Sequence, residues 1–182
     1  GVIDDQVTVD GLLTNATNYW RITVPAGERH LGIESAGVVF NPTTTGHVFN
    51  IRDDYTRLEW IEITGWENAT GDNSWEGVHV AADQALLDHL LIHDDTYGSF
   101  NNPNADGINL NSVAASETVT IQNCMIYNIS RSGINNQSNN INLNIYNTTV
   151  YNTGFEDTDI NGNINTELAT VSIRNTISMN SM

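Results

Sequence analysis

Thr120-Ile121-Gln122-Asn123-Cys124-Met125-Ile126-Tyr127-Asn128 decides the fold. Apolar residues alternate with polar ones on either side of Asn123, and the phase slips between Asn123 and Ile126. Alternation of period two marks strands, and the slip marks a bend between two short ones. The same pattern, apolar-x-Asn-x-x-apolar-x-Asn, recurs. Arg57–Gly65 and Leu86–Asp94 precede it, and Asn144–Asn152 and Ser172–Asn180 follow it. Its anchors are Leu58, Leu87, Ile121, Ile145 and Ile173.

A second element stands between successive copies: a polar residue, Gly, an apolar residue, then alternation. It reads Glu76-Gly77-Val78-His79-Val80, Asp106-Gly107-Ile108-Asn109-Leu110 and Ser132-Gly133-Ile134-Asn135. Asn161-Gly162-Asn163-Ile164 is a looser copy, and Thr45-Gly46-His47-Val48-Phe49 reads as an earlier one, with Gly46 in the glycine place. Each repeat thus holds three short strands and three corners. Such a unit cannot bury its own apolar face, but stacked on its copies it makes a continuous core. The pattern predicts an all-β parallel β-helix of about six or seven rungs, about 30 Å long at roughly 4.8 Å per rung. Residues 1–182 form a single β-helix domain. Residues 1–44 are an irregular lead-in with the first rungs, and 45–182 are the regular rungs. The chain is expected to be a fragment of a longer protein, since it stops directly after a core strand pattern.

Asparagine occurs 26 times in 182 residues. Two corner columns absorb part of that excess: Trp60, His89, Asn123, Asn147 and Asn175 in one, Gly65, Asp94, Asn128, Asn152 and Asn180 in the next. Stacked amides both donate and accept along a column, and Asn tolerates the left-handed backbone that sharp corners need.

Charge excludes other roles. There are 22 acidic residues, six arginines and no lysine, for a net charge of −16. Nucleic acid and anionic membrane surfaces need a cationic patch, so neither is expected as a partner. No segment has the length and apolarity to insert in a membrane. Lysine-based catalysis is absent. Cys124 is alone, which excludes an intrachain disulfide and a cysteine zinc site.

The residues quoted resemble right-handed parallel β-helix proteins of the pectate-lyase and polygalacturonase kind; the right hand comes from that resemblance. Asn104-Ala105-Asp106-Gly107-Ile108, with the strand Val119–Cys124 after it, is similar to the Asn-Thr-Asp-Gly segment of polygalacturonases. That family next requires an Asp-Asp pair where this chain has Arg131-Ser132-Gly133-Ile134, then Gly-His-Gly and Arg-x-Lys motifs that this chain lacks. Lyases of this fold use Arg or Lys as base. The catalytic set is therefore incomplete.

Unequal loops at one corner are where a solenoid would bind. They bring Glu67, Asp72, Trp66, Trp75, Tyr97, Phe100 and Asn104 beside Glu76, Asp94, Asp95 and Asp106. Rings beside carboxylates and amides suit sugars, which makes Trp66, Trp75, Tyr97, Phe100 and Asn104 the carbohydrate-binding candidates. The competing reading folds those rings back as loop anchors. Asp94, Asp95 and Asp106 are the catalytic candidates. Glu76 and Asp106, one rung apart, repel unless one is protonated or a cation joins them. With Asp94 they form an oxygen-rich set that suits Ca²⁺, unless Arg131 pairs with Asp106. His93 with Asp94 or Asp95 could make a basic dyad, although His79 and His93 also read as surface residues. The expectation is an exposed, extracellular or virion-surface module that is structural or binds a glycan, with self-association through the solenoid ends as a further partner mode. The alternative is a divergent polysaccharide hydrolase or lyase acting at Asp94, Asp95 and Asp106.

Overall fold

A computed structural model describes residues 1–66, 75–95, 105–111, 118–138, 141–154, 162–166 and 169–179. Among them the chain forms nineteen short strands and no α-helix. The strands fall into three parallel sheets that wind as a right-handed β-helix.

The sheet carrying the repeat anchors runs Arg21–Thr23, Arg57–Glu59, Leu86–Asp88, Thr118–Gln122, Asn142–Tyr146, Thr170–Arg174. We call it the anchor sheet. Leu58, Leu87, Ile121, Ile145 and Ile173 are register partners across it, as their spacing predicts. After the first corner comes a seven-stranded sheet, from Val2–Ile3 and Val39–Phe40 through Glu62–Thr64, Leu91–His93, Met125–Ile129 and Thr149–Thr153 to Ile177–Met179. The third sheet follows the glycines: Val7–Val9, Phe49–Ile51, Val78–Val80, Ile108–Leu110, Ile134–Asn136, Ile164–Thr166. We call it the glycine sheet. Inward residues of all three, including Leu58, Ile63, Val78, Ile92, Ile108, Ile126 and Ile145, make one buried core.

Both corner columns form among the described residues; Asn180 of the second lies outside them. Trp60, His89, Asn123, Asn147 and Asn175 all have φ between 49° and 62°, and Asp94, Asn128 and Asn152 lie between 50° and 54°. Asn175 donates to Asn147 at 3.2 Å and Asn147 to Asn123 at 3.2 Å. Asn123 then donates to the Asp88 carboxylate at 2.8 Å. In the second column Asn152 donates to Asn128 at 2.8 Å and Asn128 to Asp94 at 2.7 Å. A third ladder, absent from the sequence reading, runs along the glycine sheet: Asn165 donates to Asn135 at 3.2 Å and Asn135 to Asp106 at 2.8 Å. All three point the same way, and each ends on a carboxylate. Aligned amide dipoles reinforce one another, and an anion is the strongest acceptor with which to end them.

The glycine places have a steric cause. A Cβ on Gly77 would stand 2.8 Å from the Gly107 oxygen, and one on Gly107 would stand 2.7 Å from the Gly133 oxygen. Two repeat copies need correction, the first by one residue and the second by two. Ile164 pairs with Ile134, so Asn163, not Gly162, occupies the glycine place. Phe49 pairs with Val78, so Val48 replaces Gly46 there, and His47 stands beside Glu76.

Candidate functional site

The predicted corner separates into parts. Tyr97, Phe100 and Asn104, with Glu67 and Asp72, lie outside the described residues. Trp66 is no sugar platform: it is fully buried in the core, and its indole N–H donates to the Trp75 carbonyl at 3.1 Å. The apolar pattern extends one residue past the corner at Gly65, which makes Trp66 an anchor. Trp75 is half-buried and meets His47 edge-on, with centroids 5.2 Å apart.

Asp106 is fully buried on the outward side of the glycine sheet. It accepts from Asn109 and Asn135 at 2.8 Å each and from the Ser132 amide at 3.2 Å, and Arg131 lies 3.5 Å away. Burial raises its pKa, Arg131 and the two amides lower it, and Glu76 raises it again. Glu76 is the smallest of these influences, and Arg131 acts against it. Asp106 is thus the shared acceptor of Asn109, Asn135 and the Ser132 amide.

Asp94 is exposed and ends its corner ladder, while its other oxygen meets His93 Nδ1 at 2.9 Å. Glu76, Asp106 and Asp94 do not converge among the described residues, so the three-carboxylate Ca²⁺ set is not assembled. His93 is not a surface residue: it is buried, stacks on Tyr127 at 5.0 Å and reaches Glu62 at 3.1 Å through Nε2. Two carboxylates thus face its two ring nitrogens. Glu62 also accepts from the Ser35 amide, and Tyr127 donates to Glu34 at 2.5 Å. These contacts pin the lead-in segment across the seven-stranded sheet.

Asp95 is bound through the Ser130 amide at 3.0 Å and the Ser130 hydroxyl. Burial pushes its pKa up to about 7; the Ser130 bonds oppose the rise and Asp94 adds to it. Of the three catalytic candidates, Asp95 alone combines partial exposure with a pKa near neutrality.

The open polar surface lies on the outward side of the anchor sheet. One cavity of about 380 Å³ is lined by Tyr19, Tyr55, Arg57, Gln84, Thr118, Thr120 and Gln122. A second of about 310 Å³ adjoins it through Gln122 and adds Tyr146, Asn147, Arg174 and Asn175. Alternation puts these side chains opposite the core. Arg57 lies over the Tyr19 ring at 4.1 Å, and Arg174 over Tyr146 at 5.9 Å. Among the described residues neither arginine has a carboxylate within ion-pair distance. Sequence reasoning missed this groove because outward positions of a repeat look like generic polar alternation. Tyr19 also comes from the lead-in, outside the repeat.

Comparison with known proteins gives no counterpart: no family model, no curated protein and no solved structure matches the chain.

Proposed function

We propose that this β-helix is an extracellular glycan-binding module, and that the groove on the outward side of the anchor sheet is its binding face. The observation that carries the reading is the pair of adjoining cavities, about 380 and 310 Å³, that share Gln122. Their lining supplies what a sugar strand needs. Tyr19, Tyr55 and Tyr146 offer ring surface and hydroxyls, Thr and Gln offer donors and acceptors, and Arg57 and Arg174 can hold an acidic substituent. In a chain of net charge −16, this face carries two arginines that have no carboxylate within ion-pair distance among the described residues, alongside Glu59 and Asp88. The groove runs across successive rungs, so each rung presents its own outward side chains along it. The fold is also the one the pectate-lyase and polygalacturonase resemblance implies.

Screening on an array of neutral, uronate-bearing and sulfated glycans, followed by calorimetry with Arg57→Ala and Gln122→Ala, tests this. Binding that weakens roughly tenfold in each variant supports it. No binding on the array, or binding indifferent to both variants, refutes it.

One observation favours a catalytic reading: Asp95 has a pKa near 7, the range that suits a general acid or base. Hydrolysis needs a second carboxylate across the bond, and Asp106 is committed to its own network. Product formation from any glycan that is lost in Asp95→Asn would establish this reading over simple binding.

A further inference from the structure

A separate cluster lies on the outward side of the glycine sheet, away from the groove. The two-residue shift of register sets His47 beside Glu76, and His79 follows Glu76 by three residues. His47 Nδ1 touches Glu76 Oε2, and His79 Nδ1 lies 3.6 Å from the same oxygen. The three ligand-type atoms all lie within 4.8 Å of one another. The two imidazoles stack with centroids 4.4 Å apart and planes 15° apart. Their side chains are 19 % and 17 % exposed, and that of Glu76 is 4 % exposed.

Within this cluster the Glu76 amide donates to His47 Nδ1 at 3.3 Å. His79 Nδ1 is shielded from solvent and has no hydrogen-bond partner among the described residues. Its register neighbours on either side, Asn50 and Asn109, each hold a buried amide oxygen in the same condition. The orientation of Asn109 is fixed, because its amide nitrogen donates to Asp106 at 2.8 Å. A row of shielded acceptors therefore runs beside a buried carboxylate. Such a row is costly without a donor or a cation. The nearby cation, Arg131, serves Asp106 one rung on.

We propose that His47, Glu76 and His79 bind a divalent transition-metal ion of the Zn²⁺ class. Two imidazoles and one carboxylate, with a position left for water, are a donor set that such ions take. Imidazole selects them over Ca²⁺ and Mg²⁺, which prefer oxygen. Bonds of about 2.0–2.2 Å to a tetrahedral ion put ligand atoms roughly 3.3 Å apart, and the His79–Glu76 distance of 3.6 Å is close to that. His47 stands nearer the carboxylate and parallel to His79, so loading separates it from Glu76 and opens the ring stack until both lone pairs converge.

The test uses the whole chain, stripped with chelator, and the metals alone. Calorimetry with Zn²⁺ should give one ion per chain, unaffected by millimolar Ca²⁺, and Co²⁺ should give intense tetrahedral absorption bands. His47→Gln and His79→Gln should each weaken Zn²⁺ binding at least about 100-fold, while His93→Gln leaves it unchanged. Nitrogen-15 shifts of the histidine rings read the site without any variant: Zn²⁺ should move His47 and His79. Absence of saturable Zn²⁺ binding overturns the proposal, as does a response carried by His30, His89 or His93. Binding retained in His47→Gln and His79→Gln variants that melt like the parent overturns it as well.

Discussion

The outward sides of two sheets of this solenoid have the same origin and opposite fates. On the anchor sheet the outward positions Thr120, Gln122 and Tyr146 remain partly open to water and line a groove. On the glycine sheet the outward positions Asn109 and Asn135, with Asp106 beside them, are almost completely buried. Period-two alternation makes both sides polar. Burial alone decides whether that polarity is free to bind or must be satisfied internally. The covered side consequently gathers amides and a guanidinium on the Asp106 carboxylate and still leaves some acceptors shielded without a donor; the open side carries hydroxyls and two arginines that have no carboxylate within ion-pair distance among the described residues.

The largest effect should come from breaking the closed side. Asp106→Ala removes the acceptor shared by Asn109, Asn135, Ser132 and Arg131. It should cost about 3–5 kcal/mol in urea unfolding, because the guanidinium and amides are left buried and unpaired. A loss below about 1 kcal/mol would mean that water reaches this side.

The glycine column comes next and carries its own control. Gly107→Ala puts a methyl 2.7 Å from the Gly133 oxygen and 2.9 Å from an Ile126 methyl. Overpacking of that kind costs about 1–3 kcal/mol. Gly162 has nothing within 4 Å of a built Cβ, so Gly162→Ala should be near neutral. Equal effects at both would remove close rung approach as the reason for the column.

Asp95 sharpens the contrast through pH. Its pKa rises from 3.8 to about 7 on folding, so the folded state holds this proton more tightly than the unfolded chain. The associated stability is fully present below about pH 4, declines as pH rises, and is gone above about pH 7. Asp95→Asn should therefore flatten the fall in stability across that window relative to the parent. Unchanged pH curves would place the Asp95 pKa near its ordinary value.

The smallest structural effect should come from the open side. Arg57→Ala removes the Tyr19 ring contact and should change stability by no more than about 0.5 kcal/mol, as surface substitutions do, while glycan binding weakens.

Sequence made the framework legible for physical reasons. Strand alternation and left-handed corners leave strong residue preferences, so Leu58 to Ile173 and both corner columns could be aligned in advance. The ladder on the glycine sheet escaped notice because Asn135 and Asn165 sit in strands, where asparagine carries no turn signal. His47 was misplaced because Gly46 attracted the alignment, although Val48 fits the glycine place at that rung. Trp66 looked like a sugar platform because a tryptophan next to a corner glycine carries no mark of whether it turns inward. The groove depends on Tyr19 from the lead-in meeting Thr118 and Thr120 from three rungs later, a proximity that only the winding supplies.

Backbone amide mapping by NMR with a bound oligosaccharide tests the central contrast most directly. The account predicts shifts concentrated in Thr118–Gln122 and Asn142–Tyr146, with Ile108–Leu110 unmoved. Shifts concentrated in Val78–Val80 and Ile108–Leu110, with the anchor strands silent, would contradict it.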